Sequence, residues 1–356
     1  MKAANWYEKG VVRVEDIPLP EPKAGEVRLR VLACGICGSD MHEYIAGPFL
    51  IPKKQHPLTG QQGGPVVLGH EFSARVDAVG EGVSLFASGD KVTVNPLILC
   101  GECVYCRNGQ LNMCTRLGTL GFAANGAFAE YLVVSEDMLL RLPENISADM
   151  GALVEPLAVA ARAVKRAGIG LGNSVAILGA GPIGLLVLQV CRAVGAAKIF
   201  MIEPIASRRE LALKLGATQA IDPAVGDPGK IIAEATNNLR ADAAVDCAGN
   251  QASFNTAVRA TGRRATICVA GLALQPMEVP FLQLWAHEKS ITFTSGYENE
   301  FPAAIALLEN GQVNIQELIT ARIELKDINE AGFETLANHA DKHIKIIVYP
   351  NGTPGT

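Results

Sequence analysis

No stretch of this sequence is apolar for long enough to span a bilayer. The longest such run, Val175 to Leu188, has 14 residues and is broken by three glycines and a proline, where a span needs ~20 apolar residues. The first residues, Met1 to Lys9, carry charge early and lack the apolar centre of a secretion signal. An excess of one charge is missing too. Lys plus Arg number 31 against 36 Asp plus Glu, a net charge of -5, so nothing calls for nucleic acid or an anionic membrane as partner. Internal repeats and low-complexity linkers are absent. Nine cysteines is an odd number in a long chain, which speaks against a disulfide framework. Clustered thiols point instead to metal, in a cytoplasmic protein.

What is present is a globular composition. Hydrophobic residues make up 49% and charged residues 19% of 356, enough for a full core. At ~150 residues per domain the chain holds two domains or slightly more. The first 150 residues read as short strands (27–32, 74–79, 131–134) separated by Gly, Pro and Asp. After Pro156 strand and helix alternate. A buried strand at 174–178 precedes a helix from Pro182 to Val194, whose proline suits the first turn. A strand at 199–203 precedes a helix capped by Ser207 and ended by Gly216. Further strands follow at 243–247, 265–269 and 291–294. The pattern is α/β, a doubly wound parallel sheet. A helix at 302–308 and a strand at 345–348 are too little for a domain, so 296–356 is expected to return to the first. The expected division is 1–155, 156–295 and 296–356.

Gly179, Gly181 and Gly184 form G-x-G-x-x-G, with Pro182 and Ile183 between the last two, directly after a strand and opening a helix. The first glycine allows a tight turn, the second a close approach to pyrophosphate, and the third packing of helix on strand. The helix N-terminus then offers free N–H groups and its positive dipole end to phosphate. The second strand ends at Glu203, 19 residues after Gly184, near the ~20 at which an acid meets the ribose hydroxyls. A carboxylate there repels a 2′-phosphate and favours NAD over NADP. Arg208 and Arg209 pull the other way, Arg209 less, since it reads as part of a solvated helix face.

Two clusters have metal-ligating residues. Cys100, Cys103, Cys106 and Cys114 place four thiols within fifteen residues, a closed tetrahedral zinc set with no position left for water. Such a site is structural. An Fe–S cluster fits the same ligands but has no electron-transfer context. The second cluster is spread out: Cys37 lies in Cys34-Gly-Ile-Cys37-Gly-Ser39-Asp40-Met-His42, with His70-Glu71 further on and Glu155 before Pro156. A thiolate, an imidazole and carboxylates can hold zinc with one position open, as catalysis needs. Each also has a plain alternative: a redox C-x-x-C, a His-Glu turn, a polar residue at a helix entrance.

The order of these motifs, with Glu155-Pro-Leu-Ala, resembles the zinc-dependent medium-chain dehydrogenases/reductases over essentially the whole chain. Within that family, His42-Glu-Tyr, Gly47 to Pro52 and His56-Pro-Leu-Thr resemble 2,3-butanediol dehydrogenases, as does the 33-residue step from Cys37 to His70. The resemblance implies a GroES-like catalytic domain carrying a structural zinc lobe, completed by the C-terminal segment, beside a Rossmann nucleotide-binding domain. It implies two zinc ions, with Cys37, His70 and Glu155 as catalytic ligands and Glu71 alternating with water. Ser39 and His42 fall where relatives keep a proton relay, Asp40 where a group orients a ligand. Val269, Gly271, Ser295 and Gly296, at strand ends, are expected to grip the nicotinamide. The implied reaction is reversible NAD-linked oxidation of a secondary alcohol, a small vicinal diol, by a dimer or tetramer. Rival expectations are a sorbitol, polyol or threonine dehydrogenase, a zinc-free quinone reductase, and a non-catalytic NAD-binding protein. His56 and His287 are read as ordinary surface or turn histidines.

Overall fold

The computed structural model describes residues 1–273 and 275–352. They form two compact units, 1–155 with 318–352, and 156–317. No helix among the described residues is long and apolar enough to cross a membrane.

The first unit is built on a seven-stranded sheet whose central strand is Glu26–Gly35. Its alternation buries Val27, Leu29, Val31 and Ala33 on one face, the period of two that a pleated strand imposes. The strand Glu71–Val79 pairs antiparallel with it, setting Gly35 opposite Glu71. The last strand, Lys345–Tyr349, pairs with its other edge and parallel to Ile319–Glu324. Side chains lock this return. Tyr349 and Arg322 both hold the buried Asp149, at 2.5 and 3.0 Å. Asn351 donates to the carbonyls of Val31 and Glu130, and Phe333 stacks on Tyr44 and meets Phe128 edge-on.

The second unit is a six-stranded parallel sheet, with Gln219–Ile221 at one edge, then Lys198–Ile202, Ser174–Leu178, Ala241–Asp246 and Thr261–Val269, and Ser290–Phe293 at the other. The Gln219–Ile221 strand has no counterpart among the sequence-derived strands. Strand order reverses between Ser174–Leu178 and Ala241–Asp246, so a crevice opens at their carboxyl ends. The helix after the glycine fingerprint is Pro182–Ala193, with its proline in the first turn. The next helix, Ala206–Lys214, is preceded by Ile205 and has no side-chain cap. Ser207 lies inside its first turn, so the capping role expected of it is corrected.

The segment 296–317 stays in this unit instead of returning to the first. Three attachments explain it. Arg162 makes a bidentate pair with Glu298 at 2.6 Å and also meets Glu300. Gln189 exchanges two hydrogen bonds with the backbone of Asn314, and Lys214 pairs with Glu317. The return therefore begins at about residue 318, some twenty residues later than expected.

Candidate active site

The helix Gly38–Ala46 starts where the central strand of the first unit ends. Its buried Asp40 accepts a hydrogen bond from Cys37 N at 2.9 Å through one oxygen. The other oxygen accepts from Gly69 N at 3.4 Å and faces His70 Nδ1 at 3.5 Å. One carboxylate thus ties two distant pieces of chain and orients the imidazole, as partners behind metal-binding histidines do. The donor atoms of Cys37, His70 and Glu71 lie within 4.8 Å of one another. Ser39 Oγ is 3.2 Å from His70 Nε2. His42, one turn on, has a buried Nδ1 without a hydrogen-bond partner.

Glu71 is held by a residue the motifs did not single out. Lys345, in the last strand, is buried and donates to Glu71 Oε2 at 2.6 Å and to the Ile36 carbonyl at 3.1 Å. Glu71 Oε1 is buried and unpaired. Gly35 leaves room for this pair, because a Cβ there would overlap Glu71 Oε2. Burial works against the charge on Lys345, but Glu71, Cys37 and Glu155 outweigh it and raise its pKa. Glu155 is buried and its charge is felt at Lys345, yet it is not one of the three residues whose donor atoms converge.

Burial pushes the Cys37 thiol up, and Glu71 adds to the effect while His70 opposes it. Burial likewise works against a charged His70, but Asp40 and Cys37 hold its pKa well above the usual range. A half-buried thiol, an unpaired carboxylate oxygen and an imidazole converge here, the thiol and the imidazole with raised pKa values. A divalent cation would relieve all three, so the residues fit a metal.

The four-cysteine lobe is self-contained. Its sulfur atoms lie within 4.8 Å of one another, with Cys100 and Cys106 3.9 Å apart. Four sulfurs at ~2.3 Å around a tetrahedral zinc are about 3.8 Å apart. Backbone N–H groups of Cys103 and Cys106 point at the sulfurs of Cys100 and Cys103. The N–H groups of Cys106 and Thr115 pull the Cys103 thiol down to about 6, whereas burial and neighbouring thiols push Cys106 up to about 12. None of the nine cysteines is in a disulfide.

His56 stands at a turn as read, directly before residues 57–59, but is not the surface residue expected. It is buried; its Nε2 meets the Leu117 carbonyl at 3.2 Å and its Nδ1 meets Leu58 N and Thr59 Oγ1. It thereby fastens the 52–61 loop to the segment just after Cys114. Glu43, also buried, accepts from the backbone N–H groups of Phe49, Leu50 and Ile51.

In the second unit, Gly179-Ala-Gly181-Pro182-Ile183-Gly184 turns from strand to helix as the spacing predicts. A Cβ on Gly184 would overlap the Gly179 carbonyl, whereas one on Gly181 would meet nothing. Close packing thus explains the last glycine and open approach the middle one. No side chain caps the helix at Gly181, so its first turn presents N–H groups that suit a phosphate. Glu203 is buried and accepts from Ala180 N at 2.7 Å and Ile205 N at 2.9 Å. It braces the fingerprint loop. Arg209 pairs with Asp222 and donates to the carbonyls of Glu203 and Pro204, so it is not the solvated side chain expected. Arg208 sits half-buried beside it. Val269, Gly271, Ser295 and Gly296 lie at or just past the carboxyl ends of the next strands.

Comparison with known proteins matches residues 23–144 to the alcohol dehydrogenase GroES-like domain and 182–310 to the zinc-binding dehydrogenase domain. (R,R)-Butanediol dehydrogenase of Bacillus subtilis is 37% identical over 99% of this chain and 100% of its own. Sorbitol dehydrogenase of the same organism is 32% identical over 99% and 98%. The crystal structure of the Bacillus subtilis 2R,3R-butanediol dehydrogenase superposes with a TM-score of 0.92, covering 98% of this chain and 99% of that one. Two structures at 30% identity and TM-score 0.89, each covering 98% of this chain and 99% of its own, carry cofactor. They are a zinc-binding dehydrogenase of Sinorhizobium meliloti bound to NADP and an Escherichia coli alcohol dehydrogenase complexed with NADH. With a GroES-like unit holding two metal-ligand clusters and a Rossmann unit with its glycine fingerprint, the chain belongs to the zinc-dependent medium-chain dehydrogenases/reductases and is an alcohol dehydrogenase of that family.

Proposed function

We propose that this enzyme catalyses reversible NAD-linked oxidation of a small vicinal diol, with 2,3-butanediol going to acetoin. The observation that carries the reading is the convergence of Cys37, His70 and Glu71, with Ser39 Oγ 3.2 Å from His70. Zinc held by Cys37, His70 and Glu155, with Glu71 alternating with water, would supply a Lewis acid that makes a hydroxyl acidic near neutral pH. Ser39 takes the hydroxyl proton, and His42 passes it to solvent. Asp40 holds the His70 ring, and Lys345 holds one Glu71 oxygen so that the other faces the cluster. A second zinc, in Cys100, Cys103, Cys106 and Cys114, keeps the lobe folded.

Gly179, Gly181, Pro182, Ile183 and Gly184 take the pyrophosphate, Glu203 the adenosine ribose, with Arg208 alongside. Val269, Gly271, Ser295 and Gly296 would hold the nicotinamide, which would supply the hydride acceptor. NAD is favoured over NADP because the buried Glu203 carboxylate would face a 2′-phosphate, and Arg209 is committed to Asp222.

The enzyme works in the cytoplasm, where nine thiols stay reduced, as a dimer or tetramer. Exposed Phe281, Leu282 and Trp285 on the helix Phe281–Ala286, with Phe293 on the edge strand Ser290–Phe293, supply an apolar surface for a second copy. Polyol oxidation is the second reading, favoured by the likeness to sorbitol dehydrogenase. Steady-state rates with butanediol stereoisomers, sorbitol and threonine, each with NAD and NADP, decide between them. A butanediol isomer with NAD should give the highest kcat/KM, and the activity should be lost on chelation. A higher value for sorbitol assigns the polyol reaction, and chelator-resistant turnover removes the metal from it.

A further inference from the structure

Asp246, the last residue of the central strand Ala241–Asp246, is fully buried and makes five hydrogen bonds. Its Oδ1 accepts from Ala248 N at 3.0 Å and Gly249 N at 3.1 Å, and its Oδ2 from Ser253 Oγ at 3.0 Å. Its own carbonyl accepts from Ala270 N and Gly271 N, both at 2.8 Å. One residue therefore shapes the loop after its own strand and the loop after the neighbouring one.

The two loops touch through backbone alone. A Cβ on Gly249 would come within 2.7 Å of the Gly271 carbonyl carbon, and one on Gly271 would overlap Gly249 N. The first loop also abuts the fingerprint, with Ala248 Cβ 3.3 Å from where a Gly179 Cβ would stand. Burying a carboxylate is costly unless its lone pairs are satisfied. Here they are satisfied by the groups that define the loops.

Position gives this frame its meaning. A dinucleotide straddles the point where strand order reverses, one half on each side. Glu203 directly follows the strand Lys198–Ile202 on one side, so the adenosine half lies there. The other half must extend over the ends of Ala241–Asp246, Thr261–Val269 and Ser290–Phe293. We propose that Asp246 is the positioning residue for the nicotinamide half of the cofactor, holding loops 247–250 and 269–271 as one rigid ledge. The inference rests on the nucleotide reading above and adds to it a residue that touches no cofactor atom.

The test is equilibrium binding of NADH and of ADP, which carries only the adenosine half and the phosphates, to the metal-loaded protein. Asp246→Ala should weaken NADH about tenfold while ADP changes by less than about twofold. Asp246→Asn, which can still accept from both N–H groups and donate to Ser253, should restore NADH binding. Gly249→Ala, which crowds the Gly271 backbone at a position given no cofactor contact and leaves the carboxylate in place, should reproduce the NADH-selective loss and decides the matter if Asp246→Ala does not fold. Parallel losses of NADH and ADP, unchanged NADH affinity, or an asparagine variant as weak as the alanine one would each overturn the ledge. Wild-type protein that binds neither ligand would instead overturn the nucleotide reading itself.

Discussion

The four cysteines of the 100–114 lobe come from one short stretch of chain, three of them half-buried and Cys114 buried. Cys37, His70 and Glu71 come from a helix entrance and the start of a strand, and Glu71 is anchored by Lys345, 274 positions further on. The lobe is held by its own backbone, with N–H groups aimed at sulfur. The other cluster is held by buried charged groups, Asp40 and Lys345, from separate elements. A closed site whose ligands are neighbours in sequence can form whenever metal is present. A site with an open position needs the whole unit folded around it to keep its ligands from relaxing.

The largest effect that sharpens this contrast is expected at Cys37. Cys37→Ser should lower kcat by about a hundredfold or more and remove one bound metal, with NADH binding retained. Near-normal turnover at reduced metal content would break the assignment. Next comes the anchor. Lys345→Met leaves the Glu71 carboxylate buried and unpaired, a loss of about 3–5 kcal/mol, read as a fall in the thermal midpoint of roughly 10 °C. Adding Glu71→Gln should recover most of it, and a double variant as unstable as the single one would deny the pairing. The smallest effect belongs to the lobe. In chelator-treated protein Cys103, pulled down to about 6, is thiolate at pH 7. Its alkylation rate should therefore fall as pH drops through about 6 and be suppressed by added zinc. A titration near the ordinary thiol value would remove the backbone N–H explanation.

Legibility followed the same division. The glycine fingerprint and the four-cysteine lobe are short-range patterns that stand where spacing put them, and so do five of the six parallel strands, all but the edge strand Gln219–Ile221. The helix after Glu203 shows the limit of such reading. Ser207 is a good cap residue, but the chain turns at Ile205 and buries Glu203 against the fingerprint loop, so the helix starts two residues early. The 296–317 segment was misassigned because Arg162, Gln189 and Lys214 hold it through pairs over a hundred positions apart. No local signal marks such pairs. His56 and Glu43 were similarly mute, since a buried histidine and a buried carboxylate look like surface residues until a loop folds over them.

Residue types and their spacing were sufficient for the chemistry on offer: thiols, an imidazole and an acid for metal, glycines and an acid for a dinucleotide. These depend on donor atoms and on backbone freedom, which are properties of single residues and short runs. Which carboxylate faces the metal cluster, and where the last segment joins, were decided only in three dimensions. Burial makes an unpaired charge costly, and the partner that relieves it, Lys345 for Glu71, is chosen by the packing of strands far apart in the chain.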